Sequence, residues 1–348
     1  FVFFFVKPKT AYDIVFGHWS SGVCSCDLPN PDTSAGDRRN PAPGMTVKLP
    51  DSLRVIERGW LSANNILAFD GDRATLIDSG YVTHAEQTVA LLRHALAGCR
   101  LERLLNTHSH SDHIGGNAAV QAAFGCSIAV PAGLQASIAE WDEDALLLSP
   151  LGQQAAPFRH DGLIEAGSEI EFAGLSWQAL AVPGHDMEAL AFYNPERRLL
   201  ISGDALWENG FGVVFPELLG TADGLAATRA TLEMLGRLPI DIVIPGHGAP
   251  FADVERALAT AFRRIDGFCA DIERLAWHAL KVIVAFALME RRQLAAAGFA
   301  DFVASLPFAV DINQRYLALA QDELATRLLA DLSGAGVLVH RGDMLILR

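Results

Sequence analysis

The chain has 348 residues, 51% of them hydrophobic, and its 27 Lys and Arg against 41 Asp and Glu give a formal net charge of −14. That length supports one large domain, or a large and a small one, around a sizeable core, and the hydrophobic content excludes a disordered chain. The acidic excess repels phosphate backbones, which speaks against nucleic acid as a partner.

The chain opens on Phe1-Val2-Phe3-Phe4-Phe5-Val6. This run is too short to span a bilayer and lacks the basic region and cleavage site of a signal peptide. Residues 27–44, rich in Pro, Asn, Asp, Ser and Gly, read as loop. Residues 1–44 are therefore expected to be a disordered or non-native extension with no role in the fold. Ordinary globular sequence begins at Met45. The five cysteines, Cys24, Cys26, Cys99, Cys126 and Cys269, are odd in number and scattered, unlike a disulfide framework. They read as reduced thiols in a cytoplasmic protein.

Residues 65–69 and 74–78 are apolar runs around Asp70-Gly71-Asp72, a hairpin signal. Residues 83–97 have helical spacing, with Val89, Leu92 and Leu96 on one face and Gly98 as a stop. A short apolar strand over 101–105 leads into Thr107-His108-Ser109-His110-Ser111-Asp112-His113, and another over 128–130 is stopped by Pro131. Residues 175–182 predict a strand ending at Pro183-Gly184-His185. Residues 189–193 and 198–202 predict paired strands, 225–235 a helix, and 240–244 a strand ending at Pro245-Gly246-His247-Gly248. Strand after strand thus ends in a polar loop carrying His or Asp, which suits a sheet-based enzyme with its site at one strand edge.

From residue 254 to about 292 the pattern is helical. Residues 276–289 are strongly apolar but contain His278 and Lys281 and are short for a membrane span, so they predict a buried helix. A helix over 323–333, followed by strands 337–340 and 344–347 around Arg341-Gly342-Asp343, suggests a winged-helix-like end. It is poor in Lys and Arg and reads as a packing or homodimerisation module, not a nucleic-acid reader. The expected organisation is a catalytic domain over 45–250 and a helical C-terminal domain over 251–348.

His108, His110, Asp112 and His113 crowd into one segment. Imidazole and carboxylate are good ligands for zinc and similar metals. Alternation puts His108 and His110 on one side of an extended chain, leaving Asp112 and His113 to turn toward a second point. Gly115-Gly116 then lets the backbone bend where a helix starts. Two adjacent metals explain four such groups better than one. His185, Asp204 and His247 each follow a glycine at the end of an apolar strand and are the candidates for the remaining ligands.

The Thr-His-Xaa-His-Xaa-Asp-His run with later His, Asp and His resembles the metallo-β-lactamase superfamily, most closely its glyoxalase II-like branch, over roughly residues 53–250. The resemblance implies an α/β fold, an αββα four-layer sandwich with two divalent ions between its sheets. It implies that His108, His110 and His185 hold one ion, that Asp112, His113 and His247 hold the other, and that Asp204 bridges them. Asp78, in Ile77-Asp78-Ser79-Gly80, matches the family's early Asp and would steady a His ligand. Zinc is the first choice of metal; iron and manganese are compatible with the mixed ligand set.

The expected function is that of a binuclear metal-dependent hydrolase. A metal-bridging hydroxide, oriented by Asp112, would attack a thioester, lactone or other carboxyl ester of small size. The resemblance implies that true β-lactamases of the superfamily lack the bridging Asp, so Asp204 points away from β-lactams. It weakens beyond Pro250, where no counterpart of glyoxalase II's glutathione-binding Arg, Lys and Tyr cluster is found. Phosphodiesterase or nuclease chemistry and a non-catalytic metal-binding role are the alternatives. Residues 205–212 read as a mobile loop over the site, and Tyr193, Trp207, Phe211 and Phe215 are the pocket candidates.

Overall fold

The computed structural model describes residues 47–347; the expectations for residues 1–44, including Cys24 and Cys26, lie outside the described residues. Strands β1 (Leu53–Ile56), β2 (Asn65–Asp70), β3 (Arg73–Ile77), β4 (Arg100–Leu105), β5 (Ser127–Pro131) and β6 (Gly162–Ile164) form one sheet in that order. β1, β2 and β3 pair antiparallel, and β3 to β6 pair parallel. A tight turn suffices for β2 and β3, while parallel neighbours require crossovers. Helix α1 (Ala85–Leu96) crosses from β3 to β4, and α2 (Ser111–Ile114) with α3 (Asn117–Phe124) crosses from β4 to β5. Helices α4 (Gln135–Glu140) and α5 (Leu148–Leu151) occupy the link from β5 to β6.

The second sheet holds β7 (Glu169–Phe172), β8 (Leu175–Ala181), β9 (Leu190–Asn194), β10 (Leu199–Gly203) and β11 (Ile242–Pro245), in the order β11-β10-β9-β8-β7. Its pairs are antiparallel except β10 with β11. That parallel pair is joined through α6 (Phe215–Leu219) and α7 (Gly224–Leu235).

Successive side chains of a strand point to opposite faces, and both sheets use this to bury two faces. Ile66, Ala68, Ile77 and Leu105 meet Trp177, Ala179, Phe192, Ile201 and Ile244 between the sheets. Their neighbours Leu67, Leu76 and Leu104 face outward onto Val89, Leu92 and Leu96 of α1 and Val120 of α3. In the second sheet Ala191, Leu200 and Val243 face outward onto Leu232 and Leu235 of α7. Helix, sheet, sheet, helix is therefore the layer order, as the αββα expectation has it.

The C-terminal elements are α8 (Val254–Ala270), α9 (Ile272–Arg291), β12 (Gln293–Ala295), α10 (Phe299–Ala304), α11 (Pro307–Ile312), α12 (Gln321–Gly334), β13 (Leu338–Arg341) and β14 (Met344–Leu347). The helical run from 254 to 292 is broken at Asp271, whose extended backbone and carboxylate, accepting from Arg274 N, start a new helix. Strands β12, β14 and β13 form a small antiparallel sheet. The buried residues of α8 to α12 join the apolar cluster on the outer face of the second sheet. Helix α9 is buried with its His278 and Lys281, which carries an ion pair to Asp331 at 3.7 Å. Among the described residues no helix is long and apolar enough to cross a membrane. Among them, Cys99, Cys126 and Cys269 are free thiols.

Trp177 is fully buried between the sheets, stacked on Phe172 at 4.7 Å, and its indole donates to the Phe172 carbonyl at 3.2 Å. Trp177→Ala is expected to lower unfolding free energy by about 3–5 kcal/mol, as read from the midpoint of chemical denaturation.

Candidate metal centre

Five strand ends deliver the site to one edge of the sandwich. The chain leaves β3 at Asp78, β4 at Asn106, β8 at Val182, β10 at Asp204 and β11 at Gly246. Asp78 stands at φ 57, a left-handed conformation that a non-glycine residue adopts at a cost. Its buried carboxylate accepts from Thr107 N at 3.0 Å, Thr107 Oγ1 at 2.8 Å and His113 Nδ1 at 2.8 Å. With Nδ1 committed, His113 presents Nε2 to the interior. His185 is fixed likewise, its Nδ1 donating to the Val213 carbonyl.

The seven expected ligands converge as two groups. Ligand atoms of His108, His110 and His185 lie within 4.8 Å of one another, and so do those of Asp112, His113, Asp204 and His247. Asp204 touches both: Oδ2 is 3.4 Å from His185 Nε2, and Oδ1 is 3.3 Å from His113 Nε2. His247 Nε2 lies 3.0 Å from Asp112 Oδ2, and His110 Nδ1 2.7 Å from His185 Nε2. The indole of Trp207 donates to Asp204 Oδ1 at 3.2 Å and steadies that carboxylate.

The donor set fits a bound cation. The buried Nε2 atoms of His108 and His113 have no hydrogen-bond partner. An unmet polar atom in the interior costs about 1–3 kcal/mol, and coordination by a cation would satisfy both. The field is also right. Burial works against a charged His113, yet Asp204, Asp78 and Asp112 raise its pKa well above the ordinary value. Burial works against ionised Asp204 as well, but His113 and His247 hold its carboxyl well below the usual range. Burial pushes His110 and His185 down to about 4, the neutral state a metal requires.

Glycines make room for this packing. A Cβ on Gly246 would lie 2.3 Å from Asp204 Oδ1. Gly115 and Gly116 correct the sequence reading: their backbone is ordinary helical, at φ −60 and −86, and no special bend is made. A Cβ on Gly115 would strike Val82 N at 2.4 Å, and one on Gly116 would strike Ser79 O at 2.4 Å. They are small because the loop after β3 passes against them.

The two groups open into a cavity of about 50 Å³, partly open to solvent. Trp207 and Phe215 line it. Tyr193 and Phe211 do not, and the expectation for them is corrected. Tyr193 sits on the outward face of β9 with its hydroxyl donating to the Pro239 carbonyl at 3.0 Å. Phe211 is buried beneath the Arg264 guanidinium, 5.5 Å from the ring centroid. In the segment 205–212 Leu206, Trp207 and Phe211 are all buried, and Trp207 is the one that lines the cavity. Sequence reasoning missed Trp60, which packs 4.7 Å from His247, and Leu151, Gln153, Val282, Ile283 and Phe286. The apolar run of α9 was the only signal for the last three.

The sequence model of the metallo-β-lactamase superfamily matches residues 58–247. A hydroxyacylglutathione hydrolase from Polaromonas sp. is 35% identical over 164 residues, 47% of this chain and 53% of its own length. One from Synechococcus sp. strain JA-3-3Ab is 33% identical over 183 residues, 50% of this chain and 62% of its own length. The chain thus spans about half the length of the curated relatives it matches. Among solved structures, a metallo-β-lactamase family protein from Thermus thermophilus superposes with a TM-score of 0.51 at 20% identity, covering 85% of this chain and 98% of that one. That likeness concerns the fold.

Asp78→Asn keeps the shape but removes the acceptor that orients His113. It is expected to weaken metal affinity by about 10- to 100-fold, measured by competition with a chromophoric chelator.

Proposed function

Because the chain belongs to the metallo-β-lactamase superfamily, we propose that it is a two-metal hydrolase of thioesters and related carboxyl esters of small molecules. The observation that carries this reading is Asp204, whose carboxylate lies between the two buried ligand groups, Oδ1 facing His113 and Oδ2 facing both His185 and His247. His108, His110 and His185 would hold one divalent ion and Asp112, His113 and His247 the other, with Asp204 between them; zinc suits the set, and iron or manganese is compatible with it.

Bound divalent ions supply Lewis acidity toward a carbonyl oxygen and make water nucleophilic at neutral pH. The chain's own residues do the rest. Asp112 is part of the cavity lining with 14% of its side chain exposed, and its Oδ2 is paired with His247. It is the carboxylate that accepts the proton of the attacking water and returns it to the leaving sulfur or oxygen. Trp60 and Trp207 flank His247, at 4.7 and 5.4 Å between ring centroids, and shield it from bulk water. The names of the relatives support thioester chemistry, and the net charge of −14 disfavours a polyanionic substrate.

Metal-verified protein is expected to hydrolyse thioesters or lactones and to leave bis(p-nitrophenyl) phosphate intact; the reverse pattern would identify a phosphodiesterase. Two equivalents of metal per chain should appear in elemental analysis. Asp112→Ala and His247→Ala are each expected to lower kcat by about 10²-fold or more; full activity in both variants would rule out the two-metal reading.

A further inference from the structure

We propose that helix α9 builds an acyl-binding wall, and that this selects substrates whose acyl part is an uncharged, apolar chain or ring. The inference rests on the hydrolase reading above and names the substrate class it leaves open. The cavity beside the two ligand groups is walled by Leu151, Val213, Phe215, Val282, Ile283 and Phe286. Val282 and Phe286 are one helical turn apart, and Ile283 lies between them, so one stripe of α9 faces the cavity. The wall begins where a reacting carbonyl would sit: the Phe215 ring is 5.5 Å from His110 and 5.6 Å from His185.

Charge sharpens the assignment. Among the described residues that line the cavity, the only ionisable side chains are His110, Asp112, His185, Asp204 and His247, all members of the ligand groups. No Lys or Arg is among them, so a substrate carboxylate buried against this wall, away from the ligand groups, would lose its hydration with no cationic side chain in return. An alkyl or aryl acyl group would lose nothing.

The wall is held rigidly. The Tyr81 ring stacks edge-on against Phe286 at 5.2 Å, its hydroxyl donates to Glu290 Oε2 at 3.3 Å, and it accepts from Gln154 N at 3.2 Å. Tyr81 is fully buried, so the loop after β3 clamps α9 and the segment after α5 together around the cavity. A preformed apolar surface rewards each methylene that it covers.

The test uses p-nitrophenyl acetate, butanoate, hexanoate and octanoate, whose leaving group is constant, on metal-loaded enzyme. At about 0.8 kcal/mol per buried methylene, kcat/KM should rise roughly fourfold per methylene while the chain still meets the wall. The p-nitrophenyl monoester of glutarate should fall at least about tenfold below the pentanoate. Ile283→Ala and Val282→Ala, with folding verified by thermal melts, should each lower the octanoate-to-acetate ratio by roughly fivefold. In parallel, calorimetry should show octanoate binding more tightly than butanoate to the same protein. Equal kcat/KM along the series, or a preference for the glutarate ester, overturns the inference. If no ester or thioester is turned over, the hydrolase reading fails. The calorimetric series then decides the wall by itself, and equal affinities for octanoate and butanoate would remove it.

Discussion

The carboxylate of Asp78 is the constraint on which the rest of the site depends. It lies at the end of β3 with a left-handed backbone, φ 57, which costs an ordinary side chain of order 1–2 kcal/mol. The cost is offset by hydrogen bonds to an ionised acceptor, each worth about 1.5–3 kcal/mol. Through them Asp78 ties the end of β3 to the first residue of the His-rich loop and fixes the tautomer of His113. A backbone bond from Asp78 N to Leu105 O and a side-chain bond from Asn65 Nδ2 to Asp78 O bind the same residue to β4 and β2. The strain is local, and three strands over-determine it.

From that anchor the electrostatics follow. Asp78, Asp112 and Asp204 surround His113 in a volume from which water is largely excluded. Negative charge concentrated in a low-dielectric pocket is unstable without a positive partner. A proton on His113 is one partner, and a divalent ion is a stronger one. The same three carboxylates thus explain both the raised pKa of His113 and the affinity for metal that the ligand geometry suggests. Binding of metal must then be coupled to release of that proton.

Much of this was legible in the sequence because the relevant signals are short-range. The unbroken apolar runs in residues 65–69 and 74–78 are what strands buried on two faces require, and Leu67 and Leu76 do lie opposite Ile66 and Ile77. His185, Asp204 and His247 follow glycines at strand ends, where side chains are aimed by the backbone itself. The pocket was less legible. Tyr193 and Phe211 look from the sequence like pocket aromatics, but burial alone does not tell which side of a strand or loop the site is on. The crowding that makes Gly115 and Gly116 small depends on contacts with a distant segment, the loop after β3. Strands β1, β6, β7 and β12 are three or four residues long, too short for period-two patterning to stand out.

Helix α9 serves two masters. Its Leu275, Ala279, Leu280, Val282, Ile283 and Leu288 belong to the apolar cluster behind the second sheet, and Val282 and Ile283, with Phe286, also stand beside the metal-type groups. None of the seven ligand candidates lies on this helix, because all precede residue 248. Part of the shape of the pocket is thus written in a stretch of chain that carries none of its ligand candidates. Substitutions along one face of a single helix can reshape that wall of the cavity while the seven ligand candidates stay untouched. A scaffold divided in this way can change the walls of its cavity by point mutation and keep its ligand groups intact.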